Sequence, residues 1–417
     1  MIAERLSPID ADNRVSLEVD GVRYEGWKGV RITQGIEQLA GTFSLEVTEK
    51  WPDQDVEFAI APGEACTVRI GQDVMITGYI DFVGEVEGTE EHTFRVEGRD
   101  RTGDLVDCSA PSTEWTGLTF EYIAAELLKP YNIELLTQVE TSGGGYVAKK
   151  PGKHKAPAAK AGKGGGRLPR KGSNSGETVH KLLEKLAKIQ GVLLISDRKG
   201  GLVVTRAGLN GRATDKLALG RNLKAPIQSE RSFANLYSEI TVKGQAHGAT
   251  GGGGAAVLSG AASVKPVATV KRGGAAAAGS TVTVGSKSIQ RYRPLIINAE
   301  DQADAKRCLD RAQWEAGTRE ARSRKFVVQV QGWRQSDGSI WEINTLTNLK
   351  SRRSNEDEDM LVSNIEYTLD LSGGTVCIMT LYSPEAYDVL KEIPKVEAGQ
   401  GGGTSGSRQL SGVSRGR

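Results

Sequence analysis

The stretch CTVRIGQDVMITG, residues 66–78, decides the fold class. It predicts two short strands, Cys66–Ile70 and Val74–Gly78, separated by a turn that contains Gly71 and Asp73. The same pattern continues on both sides, with strands predicted at Val15–Val19, Val22–Glu25, Val30–Thr33, Thr42–Val47, Ile80–Glu87 and Thr93–Glu97. Because turn residues recur at even spacing, we expect residues 1–115 to form an antiparallel barrel or sandwich.

The hydrophobic period changes after residue 115 and predicts a small α/β domain over residues 116–220. Apolar residues at helical spacing follow Thr119, a suitable N-cap, and Gly191 stands where a second helix would end. The predicted elements are helices over residues 119–130 and from Glu177 to about Gln190, and paired strands at Val192–Ser196 and Leu202–Thr205.

The C-terminal part predicts a helical segment, residues 286–324, and a second β-barrel-like domain, residues 221–247 and 325–390. The helix should span residues 298–322, with Asn298 as its N-cap and charges that complement the helix dipole. The predicted strands are Leu236–Val242, Phe326–Gln331, Ile340–Ile343, Thr345–Leu349, Leu361–Leu369 and Thr375–Leu381. The fold class is therefore α+β, mainly β: two β-barrel-like domains with a small α/β domain and a helical segment between them.

Three tracts rich in Gly, Ala, Ser or Lys interrupt this pattern at residues 142–175, 248–285 and 391–417. Such compositions bury too little apolar surface to offset the entropy of ordering the chain. We expect flexible segments there. At 417 residues, the chain is also too long for a single hydrophobic core.

Charge is unevenly distributed, although the net charge is only +2. Residues 1–110 hold 23 acidic and 10 basic side chains, whereas residues 141–172 hold nine basic side chains and no acidic one. The nine form a candidate anion-contacting loop: Lys149, Lys150, Lys153, Lys155, Lys160, Lys163, Arg167, Arg170 and Lys171. Two interpretations stay open, a solubilising or protein-docking loop and a contact with nucleic acid.

No arrangement of residues in the sequence predicts catalysis, a cofactor or a metal site. The four histidines and four cysteines are scattered, and HExxH does not occur. The one GxSxG string, GVSRG (412–416), lies in the glycine-rich tract 391–417 and not at a predicted strand-to-helix turn, so it does not predict a nucleophile elbow. The acidic run at residues 356–359 lacks the ligand spacing of a calcium loop and predicts a solvated hairpin loop. The N-terminus lacks a signal peptide, and no apolar run could span a bilayer, so we expect assembly in a bacterial cytoplasm without membrane insertion. The sequence predicts a structural protein, not an enzyme.

Several strings together resemble the Mu-like phage baseplate hub family, which is related to the hub part of type VI secretion spike proteins. The N-terminal strings are SLEVTEKWP (44–52), PGEACTVRI (62–70), TGYID (77–81) and GRDRTGDLVDC (98–108). The C-terminal strings are RAQWE (311–315), RSR (322–324), QGW (331–333), WEIN (341–344) and SPEA (383–386). The resemblance covers roughly residues 12–390 and leaves out the low-complexity insertions.

The resemblance implies the structural baseplate hub of a contractile phage tail, located in the virion. It implies a homotrimer whose two β-domains per chain form a six-unit ring, which adapts the sixfold tail tube to the threefold central spike. The implied partners are the spike protein, the tail tube or distal tail protein and other baseplate proteins, with DNA or the tape measure passing through the channel. Alternatives are the hub of a phage-derived injection particle and a tail-associated peptidoglycan hydrolase.

Individual motif residues suggest packing roles. Four tryptophans are candidate anchors of the β-cores or of subunit interfaces: Trp51, Trp314, Trp333 and Trp341. Gly98 and Gly103 are expected to serve turn geometry.

Overall fold

The computed structural model describes residues 12–47, 60–87, 92–139, 171–245, 257–258, 267–272, 279–286, 289–299, 305–370 and 374–390. The helices are α1 (Gly103–Asp107), α2 (Phe120–Leu128), α3 (Val179–Gln190) and α4 (Ala305–Arg322), with 3₁₀ turns at Lys129–Tyr131 and Pro384–Tyr387. Strands dominate the described residues, which confirms the α+β, mainly β fold class.

The strands of the N-terminal half are β1 (Val15–Val19), β2 (Val22–Glu25), β3 (Gly29–Gly35), β4 (Thr42–Val47), β5 (Ala65–Ile70), β6 (Asp73–Glu87), β7 (His92–Asp100), β8 (Glu114–Trp115), β9 (Leu135–Thr137), β10 (Lys171–Gly172), β11 (Leu193–Ser196) and β12 (Leu202–Thr205). The remaining strands are β13 (Leu217–Ala218), β14 (Gln228–Arg231), β15 (Glu239–Gln245), β16 (Val257–Leu258), β17 (Val267–Arg272), β18 (Gly279–Gly285), β19 (Pro294–Asn298), β20 (Arg324–Gln331), β21 (Leu346–Ser351), β22 (Glu356–Asp370) and β23 (Gly374–Tyr382).

One 13-stranded sheet contains both predicted β-domains, in the order β14-β20-β23-β22-β3-β4-β7-β6-β5-β1-β2, with β21 beside β22 and β13 beside β21. We call β1–β7 the N-terminal β-unit, and β13, β14 and β20–β23 the C-terminal β-unit. The two units meet where β3 pairs with β22, and their buried side chains form one hydrophobic cluster. Among the described strands the sheet does not close into a barrel.

The α/β domain follows the local signals of the sequence. Helices α2 and α3 cover the sheet β11-β12-β9, and the Thr119 and Thr178 side chains cap them by accepting hydrogen bonds from Tyr122 N and Lys181 N. Gly191 ends α3 at a φ of 67°. The caps and the helix end therefore lie within a residue or two of the predicted boundaries.

The tract at 248–285 is not simply a flexible insertion, and this prediction was wrong in part. Residues 257–258, 267–272 and 279–285 are strands of a five-stranded sheet, β16-β17-β18-β15-β19, on which α4 packs. Val282 and Val284 of β18 are buried in the cluster that contains Cys308 and Ala312 of α4. Alternating valines supplied the apolar face, which the glycine and alanine content of the tract concealed.

The strand predicted at Leu236–Val242 was assigned to the wrong sheet. It is observed as β15, between β18 and β19, and not in the C-terminal β-unit. Asn298 ends strand β19, opposite Lys243, so it is not an N-cap. Strand β15 forms backbone hydrogen bonds with β18 and β19, in a separate sheet beside α4. The composition of these segments could not indicate which sheet β15 would join.

Two predictions in the C-terminal β-unit were also wrong. Residues 340–343 make only a single bridge, between Ile340 and Arg334, and then turn at Asn344, whose φ is 59°. The acidic run at 356–359 is no loop but the start of β22, where Glu356 is buried and pairs with Arg231 at 3.1 Å. Arg231 on β14 and Arg324 on β20 offset the carboxylate's loss of hydration.

Candidate functional site

Neither a metal-binding cluster nor a helix long and apolar enough to cross a membrane occurs in the part of the chain that the structure describes. Of the candidate anion-contacting loop, only Lys171 lies within the described residues, and its backbone pairs with Trp115 as strand β10. Trp51 and the other eight cations lie outside them.

Trp333 and Trp341 are both almost fully buried in the core that the two β-units share. Trp333 Nε1 donates to the carbonyl oxygens of Thr368 and Val376, at 3.2 and 3.1 Å. The Trp341 carbonyl accepts hydrogen bonds from the Tyr367 hydroxyl and the Arg198 guanidinium. Both tryptophans therefore stabilise the position of β22.

Trp314 lies on α4 and is only half-buried. Its Nε1 donates to the carbonyl oxygen of Asp388 at 2.8 Å, and the Arg311 guanidinium lies 4.8 Å from the ring centroid. Trp314 thus connects the segment after β23 to α4 through a hydrogen bond.

The two β-units share one strand order. The N-terminal unit runs β3-β4-β7-β6-β5, and the C-terminal unit runs β14-β20-β23-β22-β21. In each unit a 15-residue strand forms a hairpin with a nine-residue strand, β6 with β7 and β22 with β23. Each hairpin has a register shift, between Ile80 and Phe82 in the first unit and between Val362 and Asn364 in the second.

The pairing register agrees strand by strand when these shifts are aligned. Phe43 opposite Gly98 then corresponds to Phe326 opposite Leu381. At the hairpin tips, Glu87 opposite His92 corresponds to Leu369 opposite Thr375. Strands β4 and β20 therefore occupy equivalent positions, as do β6 and β22, and the chain contains the same β-unit twice.

The junction between the units is an antiparallel pairing of β3 with the second half of β22, from Val30 opposite Leu369 to Gly35 opposite Asn364. Arg31 Nε lies 2.9 Å from a carboxylate oxygen of Glu366 across the junction. The Tyr387 hydroxyl donates to Glu37 at 3.1 Å. Backbone pairing, an ion pair and a shared core together hold the units as one body.

A turn of the α/β domain, residues 197–201, enters the angle between the units, and we call it the Arg198 turn. Thr77 of the N-terminal unit donates to the Arg198 carbonyl at 3.2 Å. The Arg198 guanidinium donates to the Trp341 carbonyl at 2.9 Å and to the Tyr367 hydroxyl at 3.4 Å, and pairs with Glu342 at 3.1 Å. Burial raises the pKa of Tyr367, which stays protonated as a donor.

Replacing Arg198 by alanine is expected to lower the free energy of unfolding by about 2 kcal/mol, because it removes charge-assisted hydrogen bonds to largely buried acceptors. Urea unfolding of the full chain measures the change. Lys199 on the same turn is exposed, and K199A should stay within about 0.5 kcal/mol of the native protein. Equal effects of R198A and K199A would contradict the role given to the Arg198 turn.

Arg334 makes a second connection between the units. Its guanidinium donates to the Asp73 carboxylate at 2.8 Å and to the carbonyl oxygens of Asp12 and Gly338, at 2.8 and 2.9 Å. The turn before Ile340 is thereby held against the β5–β6 turn. Sequence reasoning missed both arginines, since neither belongs to a local pattern.

Asp100, in the string GRDRTGDLVDC, is buried at the end of β7. It accepts hydrogen bonds from Gly41 N at 2.6 Å, Thr102 N at 2.9 Å and Thr102 Oγ1 at 2.5 Å. Burial raises the pKa of this carboxyl although these donors and Ser196 oppose the shift. The motif therefore joins β7, the loop before β4 and the α/β domain.

The two glycines of that motif, Gly98 and Gly103, were expected to serve turn geometry, but neither lies in a turn. Gly98 lies within β7, where an added Cβ would come 2.2 Å from the Tyr79 carbonyl oxygen. Gly103 begins α1. Close approach of β6 and β7 at the register shift, and not turn geometry, requires the glycine at 98.

Three models of baseplate protein domains match the chain. The N-terminal domain of GpP-like Mu phage baseplate assembly proteins matches residues 14–100, and the second domain of gp44-like baseplate hub proteins matches residues 102–149 and 159–206. The fourth domain of the Mu phage baseplate assembly protein GpP matches residues 304–390. The first and last matches cover most of the N-terminal β-unit and of β20–β23.

The chain is 31% identical over 383 residues to the baseplate hub protein gp44 of Escherichia phage Mu, which covers 90% of this chain and 89% of that protein. The crystal structure of the 43 kDa tail protein of prophage MuSo2 from Shewanella oneidensis has 31% identity and a TM-score of 0.71, over 90% of this chain and 100% of that one.

At the level of the fold alone, a component of the Escherichia coli type VI secretion system is similar, with 7% identity and a TM-score of 0.52 over 91% and 80% of the two chains. The interpretation as a structural component of a phage tail, and not an enzyme, is confirmed by the curated relative. The chain belongs to the Mu-type baseplate hub family of phage tail proteins.

Proposed function

We propose that three copies of the chain close into a ring of six β-units, which joins the tail tube to the central spike and adapts sixfold to threefold symmetry. The observation that carries this proposal is the repeated β-unit, with the same strand order and register, joined side by side through β3 and β22. A trimer of such chains contains six similar β-units, which approximate sixfold symmetry. Its exact symmetry is threefold, because only whole chains are identical.

The joints of the chain suit a part that transmits force. A continuous core, the Arg198 turn and the Arg334 contacts hold the two units together, so that neither can turn without breaking buried contacts. One face of the ring would then meet a sixfold tube or distal tail protein, and the other a threefold spike. In a contractile tail, a rigid adaptor passes the load on to the spike.

The channel of the ring is proposed to let DNA or the tape measure pass. Many acidic side chains of residues 12–110 are already paired with arginines, among them Asp81 and Asp107, both 2.7 Å from Arg99. Such pairs offset the positive charge of the arginines, which weakens their attraction for a polyanion. Assembly in the host cytoplasm and the contact of the basic loop with an anionic partner remain predictions.

The oligomeric state tests the proposal. Light scattering of the purified full chain should give three times the chain mass of 44.6 kDa at micromolar concentration. Electron microscopy should show a threefold ring with six similar lobes. A monomer at every concentration tested, or a ring with an odd number of lobes, would contradict the proposed function.

A further inference from the structure

Among the described strands, the repeated β-unit leaves two strand edges without a partner, at corresponding places in the two units. In the N-terminal unit β3 is covered by β22, whereas its counterpart β14 pairs only with β20 among the described strands. In the C-terminal unit the second half of β22 is covered by β3, whereas the second half of β6, residues 82–87, pairs with β7 and with no other strand that the structure describes. Among the described strands, the N-terminal unit therefore has a partner for β3 but none for the free edge of β6, whereas the C-terminal unit has a partner for β22 but none for the free edge of β14.

The unpaired strand edges are also more exposed than the corresponding edges at the internal junction. All four residues of β14 are exposed, whereas β3 has four buried residues among its seven. Phe82 and Val86 of β6 are 50% and 61% exposed. Phe233, two residues after β14, corresponds to Ile36 after β3; Phe233 is 41% exposed, whereas Ile36 is 8% exposed. The free edges thus carry apolar side chains that the internal junction would cover.

We propose that β14 of one chain pairs antiparallel with the second half of β6 of the next chain, repeating between subunits the junction that β3 and β22 make within each chain. The inference rests on the proposed ring and specifies how that ring closes. Aligning the register shifts places Ser229 opposite Glu85 and Arg231 opposite Val83 in the neighbouring chain.

This pairing has a physical basis in backbone and side-chain chemistry. An exposed strand edge offers unpaired N–H and C=O groups, and a second strand satisfies them. The pairing would also bring Phe233 towards the strand that carries Phe82, as Ile36 lies beside β22 within the chain, where its N–H donates to the Ser363 carbonyl at 2.8 Å. Since β14 and β6 lie in different units of the same chain, the contact is head-to-tail, and in the proposed ring it closes after three chains.

Cysteine cross-linking tests the register. The full chain carries Cys108→Ser in all variants, to remove the exposed native thiol, together with Glu85→Cys and Ser229→Cys, both at exposed positions. Opposed residues of paired strands lie close enough for a disulfide. Oxidation should give a covalent trimer as the largest species on a non-reducing gel.

The matched control combines Ser229→Cys with Val86→Cys, one residue along β6. A shift of one residue turns the side chain to the other face of the sheet, so the covalent product should fall by about tenfold or more. Hydrogen exchange gives a second measurement, in which the amides of residues 82–87 and 228–231 should slow as the trimer forms.

The outcomes separate the two proposals. A native-like trimer that cross-links equally in both variants, or in neither, overturns the strand pairing and leaves the ring standing. A chain that stays monomeric under reducing conditions and does not cross-link overturns both. A ladder of open oligomers longer than three would overturn closure by this contact.

Discussion

Trp333→Ala is expected to lower the free energy of unfolding by about 4 kcal/mol, which is the middle of the range for removing a buried tryptophan. The side chain is fully buried where β22 and β23 meet the core shared by the units. Its loss creates a cavity and leaves the Thr368 and Val376 carbonyl oxygens without the indole donor. Urea unfolding of the full chain measures the effect.

Trp341 provides the matched comparison, because it is equally buried but its Nε1 has no hydrogen-bond partner among the described residues. Trp341→Phe loses packing alone, whereas Trp333→Phe also loses a donor to two carbonyls. The second substitution should cost about 1 kcal/mol more than the first. If both cost the same, the hydrogen bonds of Trp333 contribute nothing.

Gly78→Ala is expected to lower the free energy of unfolding by about 3 kcal/mol, the upper end of the usual range for overpacking. A Cβ at this position would lie 1.9 Å from the Arg99 carbonyl oxygen and 2.5 Å from the Asp100 Cα. Both are backbone atoms of β7, which β4 holds from the other side. The two strands would have to separate beside the buried Asp100.

Gly317 serves as the control for this substitution. It lies in α4, and an added Cβ would meet no atom within 4 Å. Gly317→Ala should raise the free energy of unfolding by about 0.5–1 kcal/mol through helix propensity. A G78A protein as stable as the native chain would show that β6 and β7 do not approach as closely as described.

Local patterns predicted the elements well where neighbours in sequence decide them. The strands of the N-terminal β-unit, the Thr119 cap and the Gly191 helix end all follow from side chains within a few residues. Predictions that depended on distant partners were wrong. Glu356 became a buried strand residue because Arg231 lies beside it, and Asn344 ended a predicted strand because its side chain bonds Arg206 and Gly208.

The residues of the candidate functional site also divide into those that local sequence could indicate and those that depend on distant partners. Trp333 and Trp341 stood out as large apolar residues in recognisable strings, whereas Arg198, Arg334 and Asp100 are polar residues whose importance lies in what surrounds them. The repeat of the β-unit was expected only from the family resemblance. It became visible in the pairing register, because strands such as β4 and β20 keep little more than a shared pattern and the phenylalanines at 43 and 326.

The amino-acid sequence by itself determined that this chain is strand-rich, where most strands and helices begin and end, and which family it resembles, since turn residues, caps and apolar periods act over short distances. The tertiary structure alone decided that β3 joins β22, that Arg198 and Arg334 connect the two units, and that β14 and the second half of β6 each have one edge without a partner among the described strands. Strand pairing joins residues hundreds of positions apart, and the backbone groups that make it are the same in every residue, so no local pattern could specify the partners.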